Sequence, residues 1–436
     1  MKKSKIGFIV LSIVMLLAVT GVSAYQNGSI LQGAFDRTPS LLCRASAVKT
    51  IYVKEGASST GTGTKIKPYD SIAKAQTALE TDSSIKRVCF SGALDGTLDL
   101  DAALATDLTL TAYAVGTTLS STGIVFHQEI GALQNLTISN LEIDGGLVLA
   151  PTTSLTLSRL DVDGDGRSNA VGIGEADSVT ISDSTITDTD VGIETSLWET
   201  DAVGTLEVSN VIFETTYDTA ISAYFLDSLT VSDSTFEYAN YGIVSHDVTT
   251  LLIEKSTFLG GTSAIAFDNT NTDLTSLDLQ NNFIGSNSYS GLRDVSAHGS
   301  NVNTNINNNS FYNNLSTSAL GGETFINNIV YSYPSQRAFY STTYAATLTS
   351  DYNLFYGRLS TDPAALDLAS WQTKTGLDLN SLVGDPLFTS TDDLHLSSST
   401  SPAIDAGTDL SVTEDIDGDS RPAGSFDIGA DEYQAP

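Results

Sequence analysis

Apolar residues recur at two fixed positions in a phrase that is repeated along most of the chain. The phrase is clearest in "VTISDSTI" (179–186) and "LTVSDSTF" (229–236), where apolar and polar residues alternate as in β-strands. An apolar residue before a short polar turn is followed five positions later by a second one. The first position holds Ile138, Leu157, Ile181, Val208, Val231, Ile253, Leu279, Ile306 and Phe325, and the second holds Ile143, Val162, Ile186, Phe213, Phe236, Phe258, Ile284, Phe311 and Val330.

A second phrase, a small residue followed by an apolar one, accompanies most of these repeats. It is found at Gly172-Ile173, Gly192-Ile193, Ala220-Ile221, Gly242-Ile243, Ala264-Ile265, Gly291-Leu292, Ala319-Leu320 and Ala338-Phe339. From Ile138 to Ile306 the repeat advances seven times over 168 residues, about 24 residues each time. This period with strand-like alternation predicts a solenoid, in which each repeat buries its apolar face against its neighbours.

Two kinds of solenoid fit the first half of each repeat. A leucine-rich repeat accounts for "LTSLDLQNN" (274–282) but requires a helix in the second half, where this sequence has short extended segments such as "YGIVSH" and "SAIAFD". A parallel β-helix, with about three short strands per turn, accommodates both phrases. We therefore predict an all-β parallel β-helix whose rungs stack about 4.8 Å apart.

The segment before the repeats predicts a cap. "IYVKEG" (51–56) and "KRVCFSG" (86–92) are strand-like, and the segment between them has an N-cap candidate, Asp70, followed by Ile72, Ala75 and Leu79 on one helical face. A solenoid end exposes unpaired backbone and apolar core, so it must be covered. We assign residues 49–92 to an N-terminal cap with the first rung.

Charge excludes one class of partner. Lys and Arg number 20 against 52 Asp and Glu, a formal net charge of −32. Nucleic acid needs a basic surface, and this chain would repel it. We expect no nucleic-acid partner.

The first 24 residues are typical of a signal peptide. "MKKSK" is cationic, "IGFIVLSIVMLLAV" is apolar and Ala24 ends a small-residue cleavage motif. An uncleaved membrane anchor is the alternative, but the apolar run is short for a bilayer span. We expect export to the outside of the cell or the cell surface, a linker over 25–48, and no transmembrane segment in the mature chain.

The two cysteines, Cys43 and Cys89, both lie early in the sequence. An oxidising compartment permits a disulfide between them, which would tie the N-terminal segment to the first rung. Two buried free thiols are the alternative, and the sequence leaves both open.

The repeats and the opening "IYVKEG…GTGTKIKPYDSIAKAQTAL" (51–79) resemble the right-handed parallel β-helix proteins of the pectate-lyase-like superfamily. The phrases "SPAIDAG", "DIDGDSRP" and "DIGADEY", in that order within 384–433, resemble the terminal module of choice-of-anchor Q proteins. The resemblance implies a right-handed β-helix over 93–360 and a C-terminal capping module over 361–436. It also implies export and frequent attachment to the cell surface.

Enzymes of this superfamily bind or cut acidic polysaccharides, and a lyase needs a basic residue as its base. Lys255 is the one lysine of the repeats, and it lies in a row of polar residues two positions after each first apolar position: Asn140, Arg159, Asp183, Asn210, Asp233, Lys255, Asn281, Asn308 and Asn327. We interpret Lys255 as an ion-pair partner in this row. Asn281, Asn308 and Asn327, with an asparagine after each, predict a structural asparagine ladder.

The acidic stretch "DVDGDG" (161–166) resembles the first half of a calcium loop. Asp161, Asp163 and Asp165 alternate ahead of Gly166, but the twelfth position is Gly172 instead of glutamate. A calcium site and a plain acidic turn are both open. We read "EDIDGDSR" (414–421) as a structural cap.

Counting three residues past the second phrase predicts one further column. Ile221, Ile243 and Ile265 lead to Tyr224, His246 and Asp268, which should stack on one face, with Trp198 of the rung before extending it. These side chains suit a sugar, and His246 with Asp268 is the best acid–base pair if the protein is an enzyme. A coincidental surface triplet is the alternative.

Two functions follow. The first is a secreted or cell-surface β-helix without catalytic activity, which presents an extended face for adhesion or for contact with a polysaccharide or cell-surface glycan. The second is a carbohydrate-active enzyme, either a polysaccharide lyase or a glycoside hydrolase.

Overall fold

The structure is a computed structural model that describes residues 41–43, 47–101, 103–120, 124–125, 133–150, 153–195, 203–267, 274–285, 290–293, 303–312, 323–332, 337–340, 348–361, 364–421 and 425–434. All of them lie in one compact unit, Thr38–Pro436. The predicted signal peptide over 1–24 and most of the predicted linker lie outside the described residues.

Short strands account for most of the described chain. In order they are β1 (Lys49–Lys54), β2 (Ile85–Ser91), β3 (Ala93–Asp95), β4 (Leu98–Asp99), β5 (Asp107–Ala112), β6 (Thr118–Ser120), β7 (Ile124–Val125), β8 (Asn135–Ser139), β9 (Glu142–Asp144), β10 (Leu147–Leu149), β11 (Ser154–Ser158), β12 (Asp161–Ile173), β13 (Ala176–Thr195), β14 (Val203–Ser232), β15 (Thr235–Glu237), β16 (Tyr241–Glu254), β17 (Thr257–Leu259), β18 (Ser263–Phe267), β19 (Ser276–Gln280), β20 (Phe283–Gly285), β21 (Ser290–Arg293), β22 (Asn303–Asn307), β23 (Ser310–Tyr312), β24 (Glu323–Ile326), β25 (Ile329–Tyr331), β26 (Arg337–Tyr340), β27 (Thr349–Asp351), β28 (Leu354–Tyr356), β29 (Arg358–Thr361), β30 (Ala364–Leu366) and β31 (Leu382–Val383). The helices are α1 (Ile72–Thr81) and α2 (Leu368–Thr375), with a 3₁₀ turn at Leu41–Cys43.

The strands stack in parallel, and the chain passes through three strand columns in each turn of a solenoid. The first column runs from β1 through β2, β5, β8 and β11 to β27, the second from β3 through β6 and β9 to β31, and the third from β4 through β7 and β10 to β21. In the middle of the solenoid β12, β13, β14 and β16 continue through the turns and serve more than one column. A small second sheet joins β26, β29 and β30.

The nine residues at the first apolar position form one buried column, as predicted. The register aligns Ile138 with Leu157 and continues in the same way to the pair of Ile306 and Phe325. Each of the nine is at most 2% exposed. The described residues between α1 and α2 contain no α-helix, so the leucine-rich repeat is excluded and the parallel β-helix is confirmed.

The second apolar position forms a neighbouring column with an aromatic centre. The rings of Phe213, Phe236 and Phe258 stack with centroids 4.9 and 4.4 Å apart. A Cβ atom at Gly242 would lie 2.6 Å from the Ala264 carbonyl oxygen and 2.7 Å from a Phe258 ring carbon. The small residue of the second phrase is therefore required by the space that the phenylalanine rings occupy.

The second phrase forms the third column from Ile193 onward. Ile193 aligns with Ile221, and the alignment continues through Ile243 and Ile265 to Leu292. Ile173 does not belong to it: Val171 aligns with Ile193, because a register shift between Asp163 and Arg167 displaces the chain. The first instance of the phrase was therefore assigned wrongly by two residues.

The turn after the first apolar position has a fixed conformation. All nine residues of the polar row have φ between 45° and 58°, the left-handed region that Asn and Asp tolerate best. In six of the nine repeats the next residue is a buried Ser or Asn, and in the other three it is Leu or Val. Asn282, Asn309, Asn328 and Asn353 bond from rung to rung, with each Oδ1 accepting the backbone N–H of the rung before. The predicted asparagine ladder is confirmed, and it is the second asparagine of each pair that builds it.

The N-terminal end is closed as predicted. Helix α1 buries Ile72, Ala75 and Leu79 in the main core. The N-cap position is Ser71, one residue later than expected, and Ser71 makes no side-chain capping hydrogen bond. Asp70 pairs instead with Lys74 at 2.7 Å.

The disulfide alternative for the cysteines is the one the structure adopts. Cys43 and Cys89 are joined with their Cα atoms 6.1 Å apart. Both are buried beside Tyr52, and the bond attaches the residues before β1 to β2. A covalent tie of this kind removes conformational freedom from the unfolded chain.

The C-terminal residues cover two different surfaces. Trp371 of α2 is fully buried in the main core and donates its indole N–H to Asp378 at 2.8 Å, so α2 closes the end of the solenoid. Residues 384–434, called here the flank segment, pack instead on the outer side of the second strand column. Apolar contacts join Leu394 to Phe283 and Leu396 to Ile329. The C-terminal residues thus cap the solenoid and also brace its side.

Across the residues the structure describes, no helix has the length and apolar character needed to span a bilayer.

Candidate functional site

Two aromatic side chains stack on the outside of the third column. Tyr224 lies on β14 and His246 on β16, and the parallel register places them directly opposite each other. Their ring centroids are 4.0 Å apart and their planes differ by 1°. The sequence predicted this neighbourhood from the repeat count alone.

The alternation of the strands turns these two rings outward. Ala223 and Ser245, the residues before them, are fully buried, whereas both rings are half-buried. Thr195 of the preceding rung fixes the backbone of Tyr224: the Tyr224 N–H donates to Thr195 Oγ1 at 2.6 Å, and the Thr195 hydroxyl donates to the Tyr224 carbonyl at 2.9 Å. The ring pair therefore stands on a rigid strand.

The stacking limits the ring surfaces that a ligand can contact. Each ring covers one face of the other, so neither ring can offer both of its faces to a ligand. Phe225, which follows Tyr224 in a left-handed turn at φ 53°, is 40% exposed and lies 6.3 Å from the Tyr224 ring. Phe225 supplies the open apolar face, and the sequence prediction did not include it.

A carboxylate lies on the neighbouring outward row. Glu194 is aligned with Ser222, two residues before Tyr224 in the next rung, and Asn169 donates its side-chain amide to Glu194 Oε2. Burial raises the pKa of Glu194, and the hydrogen bond from Asn169 opposes that shift. Glu194 could not be singled out from the sequence, since it occupies an ordinary polar position after Ile193.

The other two residues of the predicted ligand site cannot be placed. Asp268 and Trp198 lie outside the described residues, the last aligned pair before Asp268 being Ser245 with Phe267. The stack of Tyr224 and His246 is thus observed, and its extension to Asp268 and Trp198 stays a prediction.

The three aspartates of the predicted calcium loop lie at the start of β12. Asp161 and Asp163 pair with Thr185 and Thr187 of the next rung, and Asp163 Oδ1 accepts the Asp165 N–H at 2.9 Å. In the described part of the chain these carboxylates are not among the groups whose ligand atoms converge. Calcium binding at 161–165 stays a prediction.

Lys255 forms the ion pairs expected of it. Its ammonium lies 3.5 Å from Asp233 in the row and 3.5 Å from Glu414 of the flank segment. Burial on its own lowers the pKa of Lys255, but the two carboxylates outweigh burial and raise it. A lysine held protonated in this way is a poor base for a lyase.

The flank segment contains a second polar cluster around His395. Its Nδ1 contacts Asp393, its Nε2 lies 2.8 Å from Asp417 Oδ2, and Asp431 is close by. Burial on its own lowers the pKa of His395, but its hydrogen bonds to Asp393 and Asp417 raise it to about 10. Burial raises the pKa of Asp431 to about 6, against the Leu396 N–H bond, which lowers it.

A buried ion pair lies on the side of the flank segment that faces the solenoid. The side chain of Arg421 is 1% exposed, and its Nη1 lies 3.0 Å from Glu432 Oε2. Its Nη2 donates to Asn281 of the polar row at 3.2 Å. Burial raises the pKa of Glu432 to about 7 even though Arg421 lowers it. Asn327 of the same row also bonds Thr408 of the flank segment at 2.7 and 2.9 Å. Asparagines of the polar row thus also attach the flank segment to the solenoid.

These shifts predict that stability falls as the pH rises. The pKa values of Glu432 and Asp431 in the folded chain, about 7 and about 6, exceed their ordinary values of 4.5 and 3.8. Their contribution is complete below the ordinary values and is lost as the pH passes through the raised ones. The melting temperature should therefore drop by about 2–4 °C between pH 5 and pH 8, measured with EDTA present so that no metal ion contributes. Glu432→Gln should flatten this slope, and a melting temperature that rises with pH would contradict the assignment.

Comparison with known proteins gives little beyond this geometry. No family profile matches the chain, and no curated protein matches it in sequence. Among solved structures it is similar to the crystal structure of pectate lyase Pel9A, with 14% identity, a TM-score of 0.47, and coverage of 88% of this chain and 96% of that chain. The parallel β-solenoid rests on the strand register itself, and the choice-of-anchor Q resemblance of residues 384–433 stays a prediction.

Proposed function

We propose that this protein is a carbohydrate-binding β-solenoid that holds an uncharged polysaccharide against the outer face formed by Tyr224 and His246. The observation that carries the proposal is the pair of rings stacked in parallel on neighbouring strands. The Tyr224 hydroxyl can both donate a hydrogen bond to a sugar hydroxyl and accept one from it. Phe225 adds an exposed ring on which an apolar sugar face can pack.

Charge decides which polysaccharide we propose. The chain carries a net charge of −32, and Glu194 and Asp247, which lie close to the ring pair in register and in sequence, are both acidic. A polyuronate would be repelled unless cations bridged it, whereas a neutral polymer meets no such barrier. We therefore assign the site to neutral polysaccharides.

We also place the protein outside the cell. The predicted signal peptide over 1–24 is the main support for export, and the disulfide between Cys43 and Cys89 suits an oxidising compartment. The same proposal includes adhesion or attachment at a cell surface.

Retention on immobilised neutral polysaccharides tests the binding site. Tyr224→Ala and His246→Ala should each weaken binding at least about tenfold, roughly 1.4 kcal/mol, because each removes half of the stack. Tyr238→Ala is the matched control, since Tyr238 is an exposed tyrosine, 70% accessible, away from the ring pair. Equal binding by the wild type and both site variants, each confirmed folded by circular dichroism, would contradict the proposal.

A carbohydrate-active enzyme is the second candidate, and one observation favours it. Glu194 is half-buried with a raised pKa, as a general acid requires, and is aligned with Ser222, two residues before Tyr224. Incubation with a polysaccharide panel would then release new reducing ends in the wild type and none in Glu194→Gln. Absence of product with every polymer would leave binding alone as the function.

A further inference from the structure

Three side chains of the flank segment aim their ligand atoms at one point. His395, Asp417 and Asp431 each offer an atom, and these atoms lie within 4.8 Å of one another. The residues come from three separate stretches, "DLHL" (393–396), "DIDGDSRP" (415–422) and "DIGADEY" (427–433). In the described part of the chain this is the one group of three His, Cys, Asp or Glu side chains that converges in this way.

The imidazole is oriented for coordination. Asp393 contacts Nδ1 of His395, which turns Nε2 toward Asp417 and Asp431. A carboxylate on the far ring nitrogen is the usual outer partner of a metal-bound histidine, because it fixes the tautomer and ring orientation. The edge of the His395 ring also packs at 87° against Phe283 of β20, which restricts its rotation.

Asp431 is the buried member of the cluster. It is 7% exposed, and its Oδ2 accepts the Leu396 N–H at 2.7 Å, which holds the carboxylate in place. A carboxylate buried this deeply is costly to ionise, and a cation bound beside it would offset that cost.

The net charge of the cluster also favours a bound cation. One imidazole faces three carboxylates, those of Asp393, Asp417 and Asp431, so the cluster is negative even with the ring protonated. Arg421, the arginine of the flank segment, is engaged with Glu432. The cluster therefore lacks positive charge that a divalent ion would bring.

We propose that His395 Nε2 and one oxygen each of Asp417 and Asp431 bind a divalent transition metal of the zinc class. An imidazole with two carboxylates suits Zn²⁺ better than Ca²⁺, which takes oxygen ligands alone. Three protein ligands leave one position for water, and Asp417, whose side chain is 49% exposed, gives access from solvent. The role of the metal is to tie the three stretches of the flank segment together.

Calorimetric titration of the EDTA-stripped full chain with ZnCl₂, and separately with CaCl₂, tests the proposal. We expect one Zn²⁺ per chain, no comparable Ca²⁺ binding at this site, and a melting temperature raised by about 2 °C or more at saturating zinc. His395→Gln and Asp417→Asn should each weaken zinc binding at least tenfold. Asp393→Asn, a positioning variant, should weaken it about 10- to 100-fold.

The matched control is Asp419→Asn, an exposed aspartate of the same loop whose backbone N–H donates to Asp415. It should bind zinc like the wild type. Absence of zinc binding in the wild type would show that the four side chains form only an ion-pair network. Zinc binding retained in both His395→Gln and Asp417→Asn would place the metal elsewhere, and either result overturns the proposal. Because Tyr224 and His246 are not involved, the outcome is independent of polysaccharide binding.

Discussion

Arg421→Met should release the flank segment, residues 384–434, from the side of the solenoid while the strand columns stay folded. The guanidinium is the centre of the contact between the two. Its Nη1 pairs with Glu432 at 3.0 Å, and its Nη2 donates to the Gly429 carbonyl at 2.8 Å and to Asn281 of the solenoid at 3.2 Å. No other residue of the described chain bonds both Glu432 and the asparagine row.

The expected loss is large because a charge is left behind. Without Arg421, Glu432 stays 5% exposed with no cation beside it, and breaking a buried pair in this way costs about 3–5 kcal/mol. Limited proteolysis should detect the release of the flank segment as a new cleavage site within 384–434. The far-ultraviolet circular dichroism signal of the solenoid strands should be retained.

A double variant separates lost charge pairing from lost packing. Arg421→Met combined with Glu432→Gln removes both charges, so much of the protease resistance should return. Wild-type resistance in the single variant would mean that the apolar contacts of Leu394 and Leu396 hold the flank segment without the ion pair.

The solenoid could be predicted because its contacts join equivalent positions of successive repeats. Once the period was known, the alignment of Ile138 with Leu157 followed from counting. Counting failed where a repeat changed length: the register shift after Asp163 moved Val171 into the place expected for Ile173. The prediction of Asp70 as the N-cap of α1 was wrong by one residue, and the Asp70 side chain pairs with Lys74 instead.

The candidate sites were predictable to different degrees. The pairing of Tyr224 with His246 came from the same count, but the face-to-face stacking depends on side-chain rotation that no sequence period specifies. The cluster around His395 could not be predicted, because its members lie in stretches that do not repeat. Their convergence follows from the way the flank segment folds over β20 and β25.

Asn309→Ala should be among the most destabilising single changes in the solenoid, although it removes only one small polar side chain. Asn309 Nδ2 donates to the Leu279 carbonyl at 2.9 Å, and its Oδ1 accepts the Asn282 N–H at 3.0 Å and the Asn282 side-chain amide at 2.9 Å. The side chain is fully buried. Alanine would leave these backbone groups without partners or water in the core.

Each buried polar group left without a partner costs about 1–3 kcal/mol, so the free energy of unfolding should fall by roughly 3–5 kcal/mol. With an unfolding entropy of about 2.1 cal/mol/K per residue, this lowers the melting temperature by about 4–6 °C. Urea denaturation followed by circular dichroism measures the first quantity, and a thermal melt the second.

Asn308, the residue before Asn309, is the matched control, because it is also buried but lies in the turn and not in the amide ladder. Asn308 is 2% exposed, adopts φ 55° and leaves its Oδ1 without a hydrogen bond in the described part of the chain. Asn308→Gly keeps the left-handed turn and removes no side-chain hydrogen bond found there, so its cost should stay within about 1 kcal/mol. Equal losses for Asn308→Gly and Asn309→Ala would show that the turn conformation, and not the amide ladder, limits the stability of the solenoid. The ladder predicts a difference between them of at least about 2 kcal/mol, since only Asn309 connects one rung to the next.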